Sequence, residues 1–231
     1  MNELSLFSGA GGGLLATKHM LGWKTIGYVE WEDYCQRVIA QRIKDGFLDE
    51  APIFGDIEVF ISEGYAESYK GLVDVITGGF PCQPFSTASR GKKTAIDRWP
   101  YMRYAIEIIQ PKFVFAENVN RIPIEKASKD LRAMGYKTKA VTISAKDVGA
   151  DHIRSRCWLF AYSYNEGELL CRLNAEMGSV PEIQSSFWES SPGDRRIPYG
   201  VAGRVDRFKS IGNGQVPIVA ATAWKILTGE P

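Results

Sequence analysis

The sequence predicts an α/β fold, a parallel sheet with helices on both faces. Two observations carry this reading. Short apolar runs alternate along the chain with stretches of helical periodicity, and Gly, Pro, Asn or Asp punctuate them. Residues of unusual type also collect at the predicted carboxyl ends of these runs, which is where open α/β sheets bind their ligands. The chain has 231 residues, 45% hydrophobic and 24% charged, which suits one globular unit that can bury a sizeable core.

Residues 3–7 read as a buried strand that leads into Ser8-Gly9-Ala10-Gly11-Gly12-Gly13. Residues 14–21 read as helix and residues 25–30 as the second strand, ending on Glu30. A second helix is expected over residues 34–43 with Asp33 as its N-cap, because a carboxylate there accepts an otherwise unpaired amide. Residues 52–54 form a candidate third strand ending at Gly55-Asp56, and residues 72–77 a fourth that runs into Gly78-Gly79. Residues 102–109 are helical up to Pro111, which cannot continue a helix. A strand over 113–116 follows, ending at Glu117-Asn118. Next come a helix closing at Gly135, strands over 136–143 and 157–162, and an apolar terminal helix over 216–227. The polar segment 163–201 breaks the rhythm. It reads as an insertion, so that residues 1–162 and 202–231 make one unit and 163–201 a small lobe.

The net charge of +1 argues neither for nor against a polyanionic partner; only local clusters can. The four cysteines, Cys35, Cys82, Cys157 and Cys171, include no Cys-x-x-Cys pair, so no metal is expected. Cys35 and Cys157 fall in helical and strand patterns where a small buried hydrophobe is the default. No signal peptide or long apolar span is read, and a reducing, cytoplasmic setting with no membrane partner is expected.

Phe80-Pro81-Cys82-Gln83-Pro84-Phe85-Ser86 is the most specific stretch. Two prolines fix the backbone around one thiol on a loop after a strand, which suits a positioned nucleophile. A free thiol is mostly protonated at neutral pH, so Cys82 needs help from its surroundings or from protonation of its target. Glu117 is a candidate acid for that proton, although an ordinary strand-end carboxylate is the commoner identity of such a residue. Arg154 and Arg156 alternate into a strand, so period-2 geometry puts both on one face. They suit an anion or a carbonyl-rich ligand, or else a solvated sheet edge.

Gly9-x-Gly11 lets a ligand approach the backbone, and Glu30 lies where an acid can bind ribose hydroxyls. Leu14 stands where a dinucleotide loop would have its third glycine, which favours a nucleoside cofactor without a pyrophosphate. Trp31 is placed to stack on a flat base. Asp56 either accepts from an exocyclic amine or caps the next segment.

These residues together resemble the DNA (cytosine-5)-methyltransferases. Leu6-Phe7-Ser8-Gly9-Ala10-Gly11-Gly12 is similar to the family's cofactor motif, Gly79-Phe80-Pro81-Cys82-Gln83-Pro84-Phe85-Ser86 to the nucleophile motif, and Glu117-Asn118-Val119 to the acid motif. His152-Ile153-Arg154-Ser155-Arg156 resembles the Gln-x-Arg-x-Arg motif with His152 in place of Gln, and Gly212-Asn213-Gly214-Gln215-Val216-Pro217 resembles the last motif. The five run in the family's order and cover nearly all of the chain outside 163–201. The compact ending resembles bacterial and phage forms.

The resemblance implies a Rossmann-like S-adenosylmethionine-dependent methyltransferase sheet with a short recognition insertion. It implies Cys82, Glu117, Arg154 and Arg156 as catalytic residues. It implies S-adenosylmethionine contacts at Phe7, Ser8, Gly9, Ala10, Gly11, Gly12, Glu30, Trp31, Asp56, Ile57, Pro81 and Asn213, with Asn118 orienting Glu117. Double-stranded DNA is the implied partner, met by Gln83, Ser86, Arg90, Lys92 and Lys93. Arg98 belongs to the same basic loop, and Arg195, Arg196, Arg204, Arg207 and Lys209 form a second basic cluster. A monomer is expected, in restriction-modification or phage DNA protection, with a cognate endonuclease or recognition partner as a further expectation. Two other readings stay open: a tRNA cytosine C5 methyltransferase, and a non-catalytic DNA-binding homologue.

Overall fold

A computed structural model of the chain describes residues 1–81, 97–163 and 214–229. Among these, seven strands form one sheet in the order β3-β2-β1-β4-β5-β7-β6. The strands are β1 (Asn2–Leu6), β2 (Lys24–Val29), β3 (Ile53–Phe54), β4 (Val75–Gly79), β5 (Phe113–Asn118), β6 (Tyr136–Ser144) and β7 (Ser155–Ser163). The first five pair in parallel, whereas β7 runs antiparallel to both β5 and β6. The sheet is therefore mixed, correcting the all-parallel expectation. β7 follows β6 after one 3₁₀ turn (Ala145–Val148), too short a connection for a crossover, so it returns beside β6 in the opposite direction.

The helices are α1 (Gly12–His19), α2 (Asp33–Lys44), α3 (Ile57–Ser62), α4 (Tyr65–Ser68), α5 (Trp99–Ile109), α6 (Arg121–Ala133) and α7 (Pro217–Thr228). They cover both faces, and β5 shows why. Successive strand side chains point to opposite sides. Val114 and Ala116 join the core that includes Leu4, Ile76, Met102, Ile106 and Leu159. Phe113 and Phe115 join the core that includes Trp158, Phe160 and Trp224. Trp224 of α7 is fully buried, with ring centroids 5.4 Å from Phe115, 5.0 Å from Phe160 and 4.6 Å from Trp23. No described helix is long and apolar enough to cross a membrane.

Several boundaries differ from expectation. The fourth strand starts at Val75, because Leu72 is exposed and lies outside the pairing. Asp33 is the first residue of α2 rather than its cap: Glu32 takes the cap position, and Asp33 pairs with Arg37 at 2.7 Å. Glu117 and Asn118 lie within β5 rather than after it. Cys35 and Cys157 are buried, as their patterns predict.

Candidate active site

β1 ends at Leu6, and the turn that follows is tightly wound. Phe7 adopts φ 53°, a left-handed conformation uncommon for a bulky residue, and Gly9 and Gly11 have φ 56° and 86°. Ser8 Oγ donates to the carbonyl of Ser5 at 3.0 Å and closes the turn. The Gly9 amide then points at Glu30, donating to Oε2 at 2.6 Å, while the Glu32 amide donates to Oε1 at 2.8 Å. Glu30 is thus buried and oriented at the end of β2. Trp31 beside it is 66% exposed, leaving its ring face open to a partner. Asp56 caps α3, its carboxylate accepting from the Glu58 amide at 2.9 Å, and Ile57 is buried behind it. Leu14 is buried as well, so the start of α1 is filled by a side chain where a pyrophosphate cradle would need space.

Glu117 stands near the end of β5, across a cavity from the glycine turn. This cavity of about 60 Å³ is lined by the Phe7–Ala10 turn, Gly12, Gly13, Gly78, Gly79, Glu117 and Gln215. Glu117 is buried, and Gln215 Nε2 donates to its Oε2 at 3.3 Å. Arg156 Nε lies 3.1 Å from Oε1 as an ion pair, yet Oε1 has no aligned hydrogen-bond donor among the described residues. Burial raises the Glu117 pKa above the ordinary range, and Arg156, Gln215 and Arg154 offset only part of that rise. The result is a buried carboxyl with a raised pKa, hydrogen-bonded at Oε2 and ion-paired at Oε1.

Arg154 and Arg156 both approach Glu117, as their alternation predicts, but they are tied differently. Arg154 Nη2 donates to the carbonyl of Gly214 at 2.6 Å. Burial, and then Arg156, lower its pKa. Arg156 Nη1 donates to its neighbour's carbonyl, Ser155 O, at 2.8 Å.

Asn118 is not the partner of Glu117 that the sequence suggested. Its Nδ2 donates to the carbonyl of Phe80 at 2.8 Å, and its Oδ1 accepts from the Asn120 amide at 3.2 Å. It therefore anchors the end of β4 two residues before Cys82. Pro81 accepts from the Arg98 amide at 3.1 Å. Arg98 is not free for a polyanion: it pairs with Glu58 and lies over the Tyr101 ring. Asp97 pairs with Lys126 at 2.7 Å. Cys82, Gln83, Ser86, Arg90, Lys92, Lys93, Asn213 and the basic cluster over residues 195–209 lie outside the described residues.

Sequence reading assigned no role to Gln215, which turns out to bridge both halves of the cavity. Three glycines carry the signal. A Cβ at Gly12 would overlap the Gln215 carbonyl oxygen, and one at Gly13 its amide oxygen. One at Gly79 would lie 3.2 Å from its Nε2 and 2.9 Å from Glu117 Oε2.

Residues 1–191 match the family model described as C-5 cytosine-specific DNA methylase. The chain belongs to that family. Among curated members, it is 29% identical over 216 residues to the type II methyltransferase M.CviJI of Paramecium bursaria Chlorella virus IL3A, covering 86% of this chain and 55% of the relative. It is 30% identical over 170 residues to M1.HphI of Haemophilus parahaemolyticus, covering 68% of this chain and 44% of the relative. The chain thus spans about half the length of the family members it matches. The structure of the S. pombe Dnmt2 methyltransferase overlays with a TM-score of 0.55 at 18% identity, covering 73% of this chain and 55% of that one. At that identity it bears on the fold alone, and it supports the Rossmann-like methyltransferase sheet.

Proposed function

We propose that this chain carries the catalytic core of a DNA (cytosine-5-)-methyltransferase, moving a methyl group from S-adenosylmethionine to C5 of a cytosine flipped out of a duplex. The observation that carries the reading is Glu117. It is a buried carboxyl with a raised pKa, one oxygen of which has no hydrogen-bond donor among the described residues, and it shares a cavity with the glycine turn in a member of the cytosine C5 family. A target base inside a duplex is out of reach of such a cavity, so it must leave the stack.

The cofactor-side residues fit a nucleoside sulfonium. Glu30 is a buried carboxylate held beside the glycine turn, Trp31 offers an exposed ring, and Leu14 is buried where a dinucleotide loop would have its third glycine. When bound there, S-adenosylmethionine supplies an electrophilic methyl group. The Phe7–Gly12 turn, Glu30, Trp31 and Ile57 would hold it, with Pro81 and Asn213 completing the pocket. Asp56 Oδ1 already accepts from Glu58, so its Oδ2 is the atom we assign to the cofactor.

The base-side chemistry is proton and electron-pair movement by the protein. The Cys82 thiolate adds its electron pair to C6, forming an Sγ–C6 bond. Glu117 gives its proton to N3, so the electrons displaced from the C5–C6 bond are held as an enamine rather than as a carbanion. C5 would then take the methyl group as the methyl–sulfur bond of the donor breaks and S-adenosylhomocysteine leaves. Transfer of the C5 proton to solvent water expels the Cys82 sulfur as thiolate and restores the C5–C6 double bond, while N3 returns its proton to Glu117. Arg156 contacts the base carbonyl, and Arg154 holds the segment at Gly214. Gln83, Ser86, Arg90, Lys92 and Lys93 meet the DNA, and residues 163–201 choose the sequence. This chemistry suits restriction-modification or the protection of phage DNA.

The test uses labelled S-adenosylmethionine with duplex DNA and, in parallel, tRNA. Label should pass to DNA and not to tRNA. Cys82→Ala should abolish the transfer, and a duplex with 5-fluorocytosine should trap a covalent adduct. Transfer to tRNA alone would replace the substrate, and turnover without an adduct would remove the C6 addition.

A further inference from the structure

We propose that Gln215 is a positioning residue that ties the Glu117 carboxyl to the glycine turn, so that ligand on the turn and the proton on Glu117 influence each other. The inference rests on the reading of Glu117 as the acid given above. Its basis is a convergence of α1, β4 and β5 on one residue. Gly12 and Gly13 open α1, Gly79 ends β4, and each lacks a Cβ where Gln215 lies. Parallel pairing sets Gly79 directly opposite Glu117, which brings the acid within reach of the same amide. A glycine at one of these positions has many explanations. Three together, all vacating space for Gln215 or for the carboxyl it holds, describe a built contact.

The backbone on either side of Gln215 is fixed. Arg154 grips the Gly214 carbonyl at 2.6 Å, and two residues later α7 begins and buries Ile218 and Val219. The side chain therefore spans between two anchored surfaces. Nε2 faces Glu117 Oε2, and Oε1 faces the turn at Gly13. An N–H donor stabilises the ionised carboxylate over the neutral acid. A ligand that presses on Gly12–Gly13 must move this amide and so change what Glu117 feels. The charged groups acting on Glu117 are Arg156 and Arg154, both from the β7 side of the site. Such a coupling is reciprocal: if ligand shifts the Glu117 proton, the proton shifts ligand affinity by the same factor.

The test reads Glu117 directly in the protein without DNA. Carboxyl carbons are labelled with ¹³C-glutamate, Glu117→Gln identifies the signal, and the titration is run with and without S-adenosylhomocysteine. In the wild type the ligand should move the Glu117 midpoint, and its affinity should differ by about fivefold between the protonated and ionised states. Gln215→Leu should raise the midpoint in the free protein and abolish the ligand-dependent shift. A Gln215→Leu protein that folds and keeps the wild-type midpoint and shift overturns the proposal. Should that variant not fold, Gln215→Asn decides: its amide is one methylene too short to span, so the shift should shrink, and an undiminished shift overturns the proposal. A methyl-transfer assay on the wild type separates the two readings. A Gln215-dependent shift in a protein that does not methylate DNA sinks only the function. Methylation without the shift sinks only the coupling.

Discussion

Burial pushes Glu117 toward its neutral form while Arg156, Gln215 and Arg154 pull it back toward the ionised one. Glu117→Gln keeps the shape but cannot give a proton. Methyl transfer should therefore fall by about 10²–10⁴-fold while S-adenosylhomocysteine binding by calorimetry stays near wild type. Arg156→Gln removes the strongest of the opposing influences, so the Glu117 pKa should rise further. Because the acid is lost as pH climbs through that pKa, the alkaline limb of the rate profile should move to higher pH. Glu3 makes a second case at this scale. It is buried on β1, and Thr17, Thr25 and Thr77 donate to it at 2.7, 2.9 and 2.6 Å. Burial still raises its pKa above the ordinary 4.5. A carboxyl whose folded pKa is raised binds more protons in the folded state. Its contribution to stability is therefore full below about pH 4.5 and is lost as pH rises through the folded value. Glu3→Gln should flatten that decline in denaturant midpoints measured across the range. Glu117 contributes in the same direction, so a residual slope should remain.

At the scale of the element, the turn between β1 and α1 and the start of α7 form one unit. A Cβ at Gly12 meets the Gln215 backbone, whereas one at Gly13 meets the end of a side chain that can swing away. Gly12→Ala should thus lower stability in urea by about 1–3 kcal/mol, and Gly13→Ala by less. Trp224→Ala should cost about 3–5 kcal/mol, because its indole fills the space between Trp23, Phe115 and Phe160. Strand and helix order was legible in the sequence because apolar runs and punctuation are local signals. The direction of β7 was not, since it depends on how short a connection the 3₁₀ turn leaves. Glu117 and the arginine pair were legible as types at strand ends. Gln215 was not, because its role arises from glycines more than 130 positions away in sequence. The role of Asn118 was misread for a similar reason: its partner, the Phe80 carbonyl, is a backbone atom that carries no mark in the sequence.

For the whole molecule, one sheet places the two halves of the site. β1 and β2 present the turn and Glu30, while β4 and β5 present Phe80 and Glu117, and β1 lies directly beside β4. The glycine turn and Glu117 are therefore set two strand spacings apart, with β4 between them. A ligand that binds only this assembled arrangement should stabilise it by mass action. S-Adenosylhomocysteine at 100 times its Kd should add about 2.7 kcal/mol to unfolding, read as a rise in Tm, and Glu30→Ala should remove most of that rise while also lowering the Tm of the free protein, because the Gly9 and Glu32 amides lose their acceptor.

The hydrogen bond from the Arg98 amide to the Pro81 carbonyl has one more consequence. The chain leaves β4 and comes back beside it at Arg98, the cap of α5, with Asn118, Asp97 and Lys126 bracing the junction. What lies between those two residues can lengthen or shorten over evolutionary time without disturbing the strands. Doubling a flexible loop costs only about 0.6 kcal/mol in closure entropy. The junction thus ties the two ends of the intervening segment together outside the strand ladder, so a change in that segment's length should leave the sheet pairing intact.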